Sequence, residues 1–236
     1  MPDASREIDE NIALREEIKN YRSTHAELLE RYEKLMSEMK KKNIDSFEAL
    51  AAQDKELMAT LVELIKLTQP IPMEGFNIGV FGITSTGKST LLNAILGSQV
   101  AKTGVGETTT MIQSYPANEY VLWDVPGRND EVSYITMQYI SFFKGLSKRM
   151  ILIQSTIKEN SSFMKLLDAV GLRYTIVVNK FDRIDDDERE AFQNQIRAEI
   201  NGLDVRGVKN LYFVSAKKPN MFPDWMKMLT DLKKSS

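Results

Sequence analysis

Apolar and polar positions divide the chain into two regimes, and the change falls near residue 70. Before it, apolar side chains recur at helical spacing. Leu14, Ile18, Tyr21, Leu28, Tyr32, Leu35 and Met39, with the polar His25 filling one position, form a seam that steps alternately by four and three residues. That is a heptad pattern over about four repeats, and it predicts a first helix of roughly 50 Å or more at about 1.5 Å per residue. Lys40-Lys41-Lys42 suits a helix C-terminus and Asn43 a stop. Asp45 with Glu48 reads as a capping box for a second helix, which carries Phe47, Leu50, Leu57, Leu61 and Leu64 on one side and ends at Thr68-Gln69-Pro70. Residues 1–69 are therefore expected to form an α-helical hairpin or coiled-coil arm. Two uses of the seam stay open: packing on the second helix and the following domain, or presentation to a protein partner. His25 reads as a tolerated polar residue of the seam rather than a pH sensor.

After residue 70 the pattern changes to short apolar runs separated by helical stretches. Residues 76–81, 120–123, 150–153, 175–178 and 211–214 read as strands. The near-continuous hydrophobicity of 150–153 and 175–178 suits strands covered on both faces. Helices are expected at 90–96, 131–144, 161–170, after the acidic run 185–188 to about 200, and at 223–233. This alternation predicts an α/β domain over residues 70–236, a three-layer and mostly parallel sheet with right-handed crossovers.

Composition narrows the chemistry. The formal net charge of −2 asks for neither nucleic acid nor an anionic membrane as partner. The absence of cysteine removes disulfides, cysteine-based zinc sites and a thiol nucleophile, and the single histidine removes multi-histidine metal sites. No apolar run approaches the ~20 residues of a membrane helix, the N-terminus has no signal-peptide pattern, and Pro2 rules out N-myristoylation. A soluble, cytoplasmic protein is the expectation.

The most informative stretch is Gly82-Ile83-Thr84-Ser85-Thr86-Gly87-Lys88-Ser89, the phosphate-binding pattern G-x-x-x-x-G-K-[ST], set between an expected strand and an expected helix. Backbone N–H groups from Gly82, Thr84, Ser85, Thr86, Gly87 and Thr90 would face phosphate. Lys88 would reach the β/γ-phosphates and Ser89 would hold magnesium. Next comes the polar, glycine-rich segment 102–110. One of Thr108, Thr109 and Thr110 could add a hydroxyl to the metal, and Thr109 is the chosen candidate. Asp124-Val125-Pro126-Gly127 then follows a strand: Asp124 suits a magnesium-holding carboxylate, and Gly127 a backbone contact to the γ-phosphate. Asn179-Lys180-Phe181-Asp182 ends another strand. Its carboxylate, Asp182, can accept two hydrogen bonds from guanine, with the Lys180 stem along the base. Alone, that tetrapeptide is also an ordinary strand-to-loop connection. Ser215-Ala216-Lys217 could complete the base site, a backbone N–H meeting the base carbonyl and Ser215 bracing the loop.

In this order and spacing the five motifs resemble those of translation-factor-class P-loop GTPases. The stretch 103–109, the strand before Asp124 and the helical arm look, within that class, like the immunity-related (interferon-inducible) GTPases, relatives of dynamin-like proteins. Those proteins usually carry threonine where Asn179 stands and continue into a C-terminal helical domain, whereas this sequence ends at Ser236. The resemblance implies GTP and GDP as ligands, magnesium as cofactor, slow hydrolysis, and a homodimer formed across the nucleotide face. It makes Glu107 a candidate interface or catalytic residue. Small regulatory GTPases place a water-orienting glutamine after the glycine of the third motif. Here Arg128 stands there, as a phosphate contact, a solvated residue or a trans-acting arginine. The competing expectation is a nucleotide-dependent scaffold that hardly turns over and recruits partners through its arm. Trp123, beside Asp124, is expected to report nucleotide exchange by fluorescence unless the core shields it.

Overall fold

A computed structural model describes residues 16, 19, 25–101, 112–126 and 134–233. Six strands build the sheet: β1 (Asn77–Phe81), β2 (Gln113–Pro116), β3 (Val121–Asp124), β4 (Lys148–Ile153), β5 (Tyr174–Val178) and β6 (Val208–Phe213). Their spatial order is β2-β3-β1-β4-β5-β6. All neighbours are parallel except β2, which pairs antiparallel with β3 at the edge. The central β1 is buried along its whole length, as a strand with helices on both faces must be. The strand β2 has no counterpart in the sequence reading, because Gln-Ser-Tyr-Pro shows neither an apolar run nor clear alternation.

Helices cover both faces. On one, α4 (Lys88–Leu96) and α8 (Asp224–Lys233) bury Leu91, Leu92, Trp225, Met228 and Leu232 against Ile78, Val80, Leu122, Leu152 and Val177. On the other lie α5 (Met137–Gly145), α6 (Ser161–Val170) and α7 (Arg189–Gly202). Phe81, the last residue of β1, sits in an aromatic cluster here. Its ring centroid lies 5.4 Å from Phe143 and 5.0 Å from Phe163, which fixes the stem of the loop that follows.

The N-terminal segment forms α1 (Ala26–Lys41), α2 (Phe47–Gln53) and α3 (Lys55–Leu67). The expected second helix is thus broken in two at Asp54, whose side chain caps α3 by accepting from the Leu57 N–H. The cap of α2 is Ser46, which accepts from Ala49, rather than Asp45. Asn43 does end the first helix, in a left-handed conformation at φ 53°. Tyr32, Leu35 and Met39 of the seam are buried and join one continuous core with α5 and α6. α1 packs on α3 and α5, while α2 and α3 pack on α6. Across this contact Phe47 donates its N–H to Ser162 Oγ at 3.1 Å. Lys144 Nζ donates to the Ile65 and Thr68 carbonyls at the end of α3, at 2.6 and 2.7 Å. From Tyr32 onward the seam therefore closes on its own chain and is not a coiled-coil surface. Its earlier positions, Leu14 to Tyr21, lie outside the described residues. Among the described residues no helix is long and apolar enough to cross a membrane.

Candidate functional site

The parallel strands aim their C-terminal ends at one rim of the sheet, where an open α/β sheet gathers its ligand-binding loops. β1 runs into residues 82–87, and α4 begins at Lys88 with Gly87 as its N-cap. Two glycines are obligatory here. Gly82 has φ +141°, and an added Cβ would lie 2.5 Å from the Leu152 carbonyl oxygen. Gly87 has φ +94°, and its Cβ would meet Asn179 Nδ2 at 2.6 Å. Ser85, at the loop's exposed apex beside Thr84, is left-handed without being glycine, at φ 70°. Such a residue persists only where surroundings hold it. Its carbonyl accepts from Lys180 Nζ at 2.7 Å and also from Gln154 Nε2.

Lys88 is 8 % exposed and donates from Nζ to the Gly82 carbonyl at 2.9 Å and the Ile83 carbonyl at 3.4 Å. Burial pushes its ammonium below the ordinary lysine pKa, and the nearby Asp124 charge opposes that shift. Thr86 turns inward and donates from Oγ1 to the Ile83 carbonyl at 2.9 Å. The result is a loop braced by its own side chains around a buried cation at a helix N-terminus, an arrangement suited to phosphate.

Asp124 ends β3 in register with Val80 of β1 and is 1 % exposed, so the third motif arrives beside the loop. Ser89 lies in the first turn of α4. A hydroxyl and a carboxylate are hard oxygen donors, the kind that magnesium takes.

On the loop's other side β5 delivers Asn179, which is 2 % exposed. Its Nδ2 donates to the Thr86 carbonyl and its Oδ1 accepts from the Ala216 N–H, each at 3.0 Å. One amide thus ties three motifs together. Gly87, Thr90, Lys180, Asp182, Ser215, Ala216 and Lys217 line a small cleft around it. Burial alone would raise the Asp182 carboxyl. Hydrogen bonding from Ser215 and from Lys218, whose Nζ lies 3.4 Å away, outweighs it and holds the group below the usual carboxylate range. Asp182 is therefore an ionised double acceptor beside the cleft.

Every sequence-derived candidate within the described residues converges on this rim: residues 82 and 84–90, Asp124, 179–180, Asp182 and 215–217. Glu107, Thr109 with its neighbours Thr108 and Thr110, Gly127 and Arg128 lie outside the described residues. Gln154 was missed. Its position directly after β4, beside the β1 loop, was the available signal. Trp123 is 6 % exposed, donates from Nε1 to Asn77 Oδ1 at 2.9 Å and packs edge-on against Phe142. It is shielded in the core, so its emission should be silent to exchange.

Residues 77–180 match the family model described as 50S ribosome-binding GTPase. The chain is 27 % identical over 148 residues to the probable GTP-binding protein EngB of Mycoplasma pneumoniae, covering 58 % of this chain and 75 % of that protein. It is also 27 % identical over 166 residues to the GTPase Der of Staphylococcus aureus, covering 63 % of this chain but only 37 % of Der. In fold it resembles Aquifex aeolicus Era bound to GDP and AlF4−, with a TM-score of 0.51 and 17 % identity, over 69 % of this chain and 57 % of that one. These relatives are of the EngB, Era and Der type, which corrects the narrower likeness to immunity-related and dynamin-like proteins. The match over residues 77–180, together with five motifs in their order, makes this chain similar to P-loop GTP-binding proteins of the translation-factor class.

Proposed function

We propose that the protein binds GTP and GDP at the rim formed by residues 82–90, 179–182 and 215–217, and hydrolyses GTP slowly to GDP and phosphate. The observation that carries this reading is the Asn179 amide, which joins the Thr86 carbonyl of the phosphate loop to the Ala216 N–H of the base-side loop. In the reaction Lys88 would exchange its carbonyl partners for phosphate oxygens and neutralise charge in the transition state. Asp182 would accept from the guanine edge. Ser89 and Asp124, with Thr109, would hold magnesium, which supplies further charge neutralisation when bound. Slow turnover is expected because Arg128 stands at the position of the water-orienting glutamine.

The test is GTP turnover per molecule across a hundredfold range of protein concentration, with ATP as competitor and the mass measured in GDP and in a non-hydrolysable analogue. Slow GTP-specific turnover supports the proposal. Equal competition by ATP overturns the guanine assignment. Flat, background-level turnover with intact GTP binding would favour a nucleotide-dependent scaffold. A rate rising with a GTP-dependent dimer would instead restore the homodimer that the corrected likeness no longer supports.

A further inference from the structure

At the opposite rim, where β4, β5 and β6 begin, the sheet is not fully covered. A cleft of about 480 Å³ opens between these strand ends and the last turns of α8. That volume falls within the ~300–1,000 Å³ of small-molecule sites.

Its floor is a row of registered neighbours, Met150, Thr175 and Asn210 on three adjacent strands. Thr175 and Asn210 are half-exposed polar residues in strands whose next row on the same face, Leu152, Val177 and Tyr212, is buried. Met228 and Leu232 of α8 form an apolar wall. The register slips between Tyr174 and Thr175, so Lys209 is the extra residue of a β-bulge. Bulges re-aim a side chain and are common beside binding sites.

Charge is concentrated here. Lys148, Arg149, Arg173 and Lys209 line the cleft against one carboxylate, Asp231, in a chain whose net charge is −2. The Asp231 carboxylate already accepts from the Tyr212 hydroxyl. Arg149 is 7 % exposed and donates to the carbonyls of Phe143 at 2.8 Å, Leu146 at 2.6 Å and Arg173 at 3.4 Å, so among the described residues its positive charge is buried without a carboxylate beside it. Arg173 and Lys209 are exposed and form no ion pair among the described residues. A buried cation of this kind is costly unless something anionic completes it.

We propose that this cleft is a second ligand site that takes a phosphorylated small molecule of mononucleotide size. The anion would meet Arg173 and Lys209, with the Arg149 charge behind them. The body would lie on the row of Met150 and Thr175, against Met228. The polar floor and apolar wall favour such a compound over bare phosphate, and the cleft's limited extent favours it over a polymer.

The probe is 5′-AMP, titrated into protein whose phosphate loop is saturated with GDP and magnesium, with methionine methyl groups followed by NMR. Met150 and Met228 report the cleft, while Met137 and Met164, buried on the sheet's other face, serve as controls. The expected result is saturable movement of Met150 and Met228 alone. The double variant Arg173→Glu/Lys209→Glu should bind 5′-AMP at least about tenfold more weakly, the scale of one lost charged hydrogen bond, with GDP affinity unchanged. No movement at millimolar 5′-AMP overturns the site. Equal saturation by inorganic phosphate overturns the ligand class, as does far tighter titration of the same methyls by a short single-stranded RNA. Failure of GDP to bind would count against the proposed function and leave the methyl readout intact.

Discussion

Asn179 donates its Nδ2 to the backbone carbonyl of Thr86 at 3.0 Å, across 93 residues of chain. Both groups are buried, and the same side chain accepts from the Ala216 N–H. The bond makes the shape of the phosphate loop depend on the loop that would read the base.

Truncating that amide should cost both stability and affinity. Asn179→Ala leaves a buried carbonyl and a buried N–H without partners, at about 1–3 kcal/mol each. GDP affinity should fall by roughly one to two orders of magnitude. Asn179→Thr, the residue usual in immunity-related GTPases, is too short to span both partners and should lose nearly as much. Titration with a fluorescent GDP analogue decides it, and unchanged affinity in both variants would remove the bracing role.

Lys88 is expected to couple nucleotide binding to stability. Lys88→Ala should weaken GDP by about 2–5 kcal/mol, the cost of removing one partner of a buried charge pair. Without nucleotide the sign reverses. The folded pKa is lowered by burial, so the fold holds this proton less tightly than the unfolded chain does. The resulting penalty is present at neutral pH and fades as pH rises from the folded value towards 10.5. Lys88→Met, which fills the same space uncharged, should therefore raise the melting temperature of the nucleotide-free protein at pH 7, by an amount that shrinks in alkaline buffer. A pH-independent difference would show that the lysine pays no such penalty.

The strained apex at Ser85 gives a third test. Lys180 and Gln154 both donate to its carbonyl. Gln154→Ala should leave the Lys180 bond in place and lower GTP affinity only several-fold, about 1 kcal/mol. Gln154→Ala/Lys180→Ala should lose more than the sum of the single changes, because a left-handed Ser85 then has neither donor. Strict additivity in a double-mutant cycle would mean the two donors act independently.

The rim was legible because its chemistry is written in consecutive residues. A phosphate loop needs its glycines, lysine and hydroxyl within eight positions, and parallel strands announce themselves as apolar runs. What the local sequence does not carry is everything settled between distant segments. Gln154 belongs to the site only because β4 lies beside β1. The edge strand Gln113–Pro116 is defined by its pairing with β3, not by its composition. Ser46, rather than Asp45, caps α2, a choice of one residue that local propensity leaves equal. The basic cleft gathers Lys148 of β4, Arg173 just before β5 and Lys209 of β6, and no sequence window contains them together.

The heptad seam is the clearest case of a true pattern with an open partner, and it yields the last prediction. Periodicity showed that Tyr32, Leu35 and Met39 would be covered, not by what. Here the cover is internal: Leu61 and Leu64 of α3 are fully buried in the core that also holds Ile140 and Phe143 of α5. Lys144 caps the end of α3 with two hydrogen bonds, at 2.6 and 2.7 Å. Because one core runs through the helical segment and the nucleotide domain, the two should unfold together. Leu64→Ala should destabilise the whole chain by about 2–5 kcal/mol, the cost of emptying a close-packed core position. Chemical denaturation followed at once by far-UV circular dichroism and by release of bound GDP should show a single transition, shifted equally in both signals. If GDP stays bound while helical signal is lost, the segment is an independent arm and its seam is free for a partner after all.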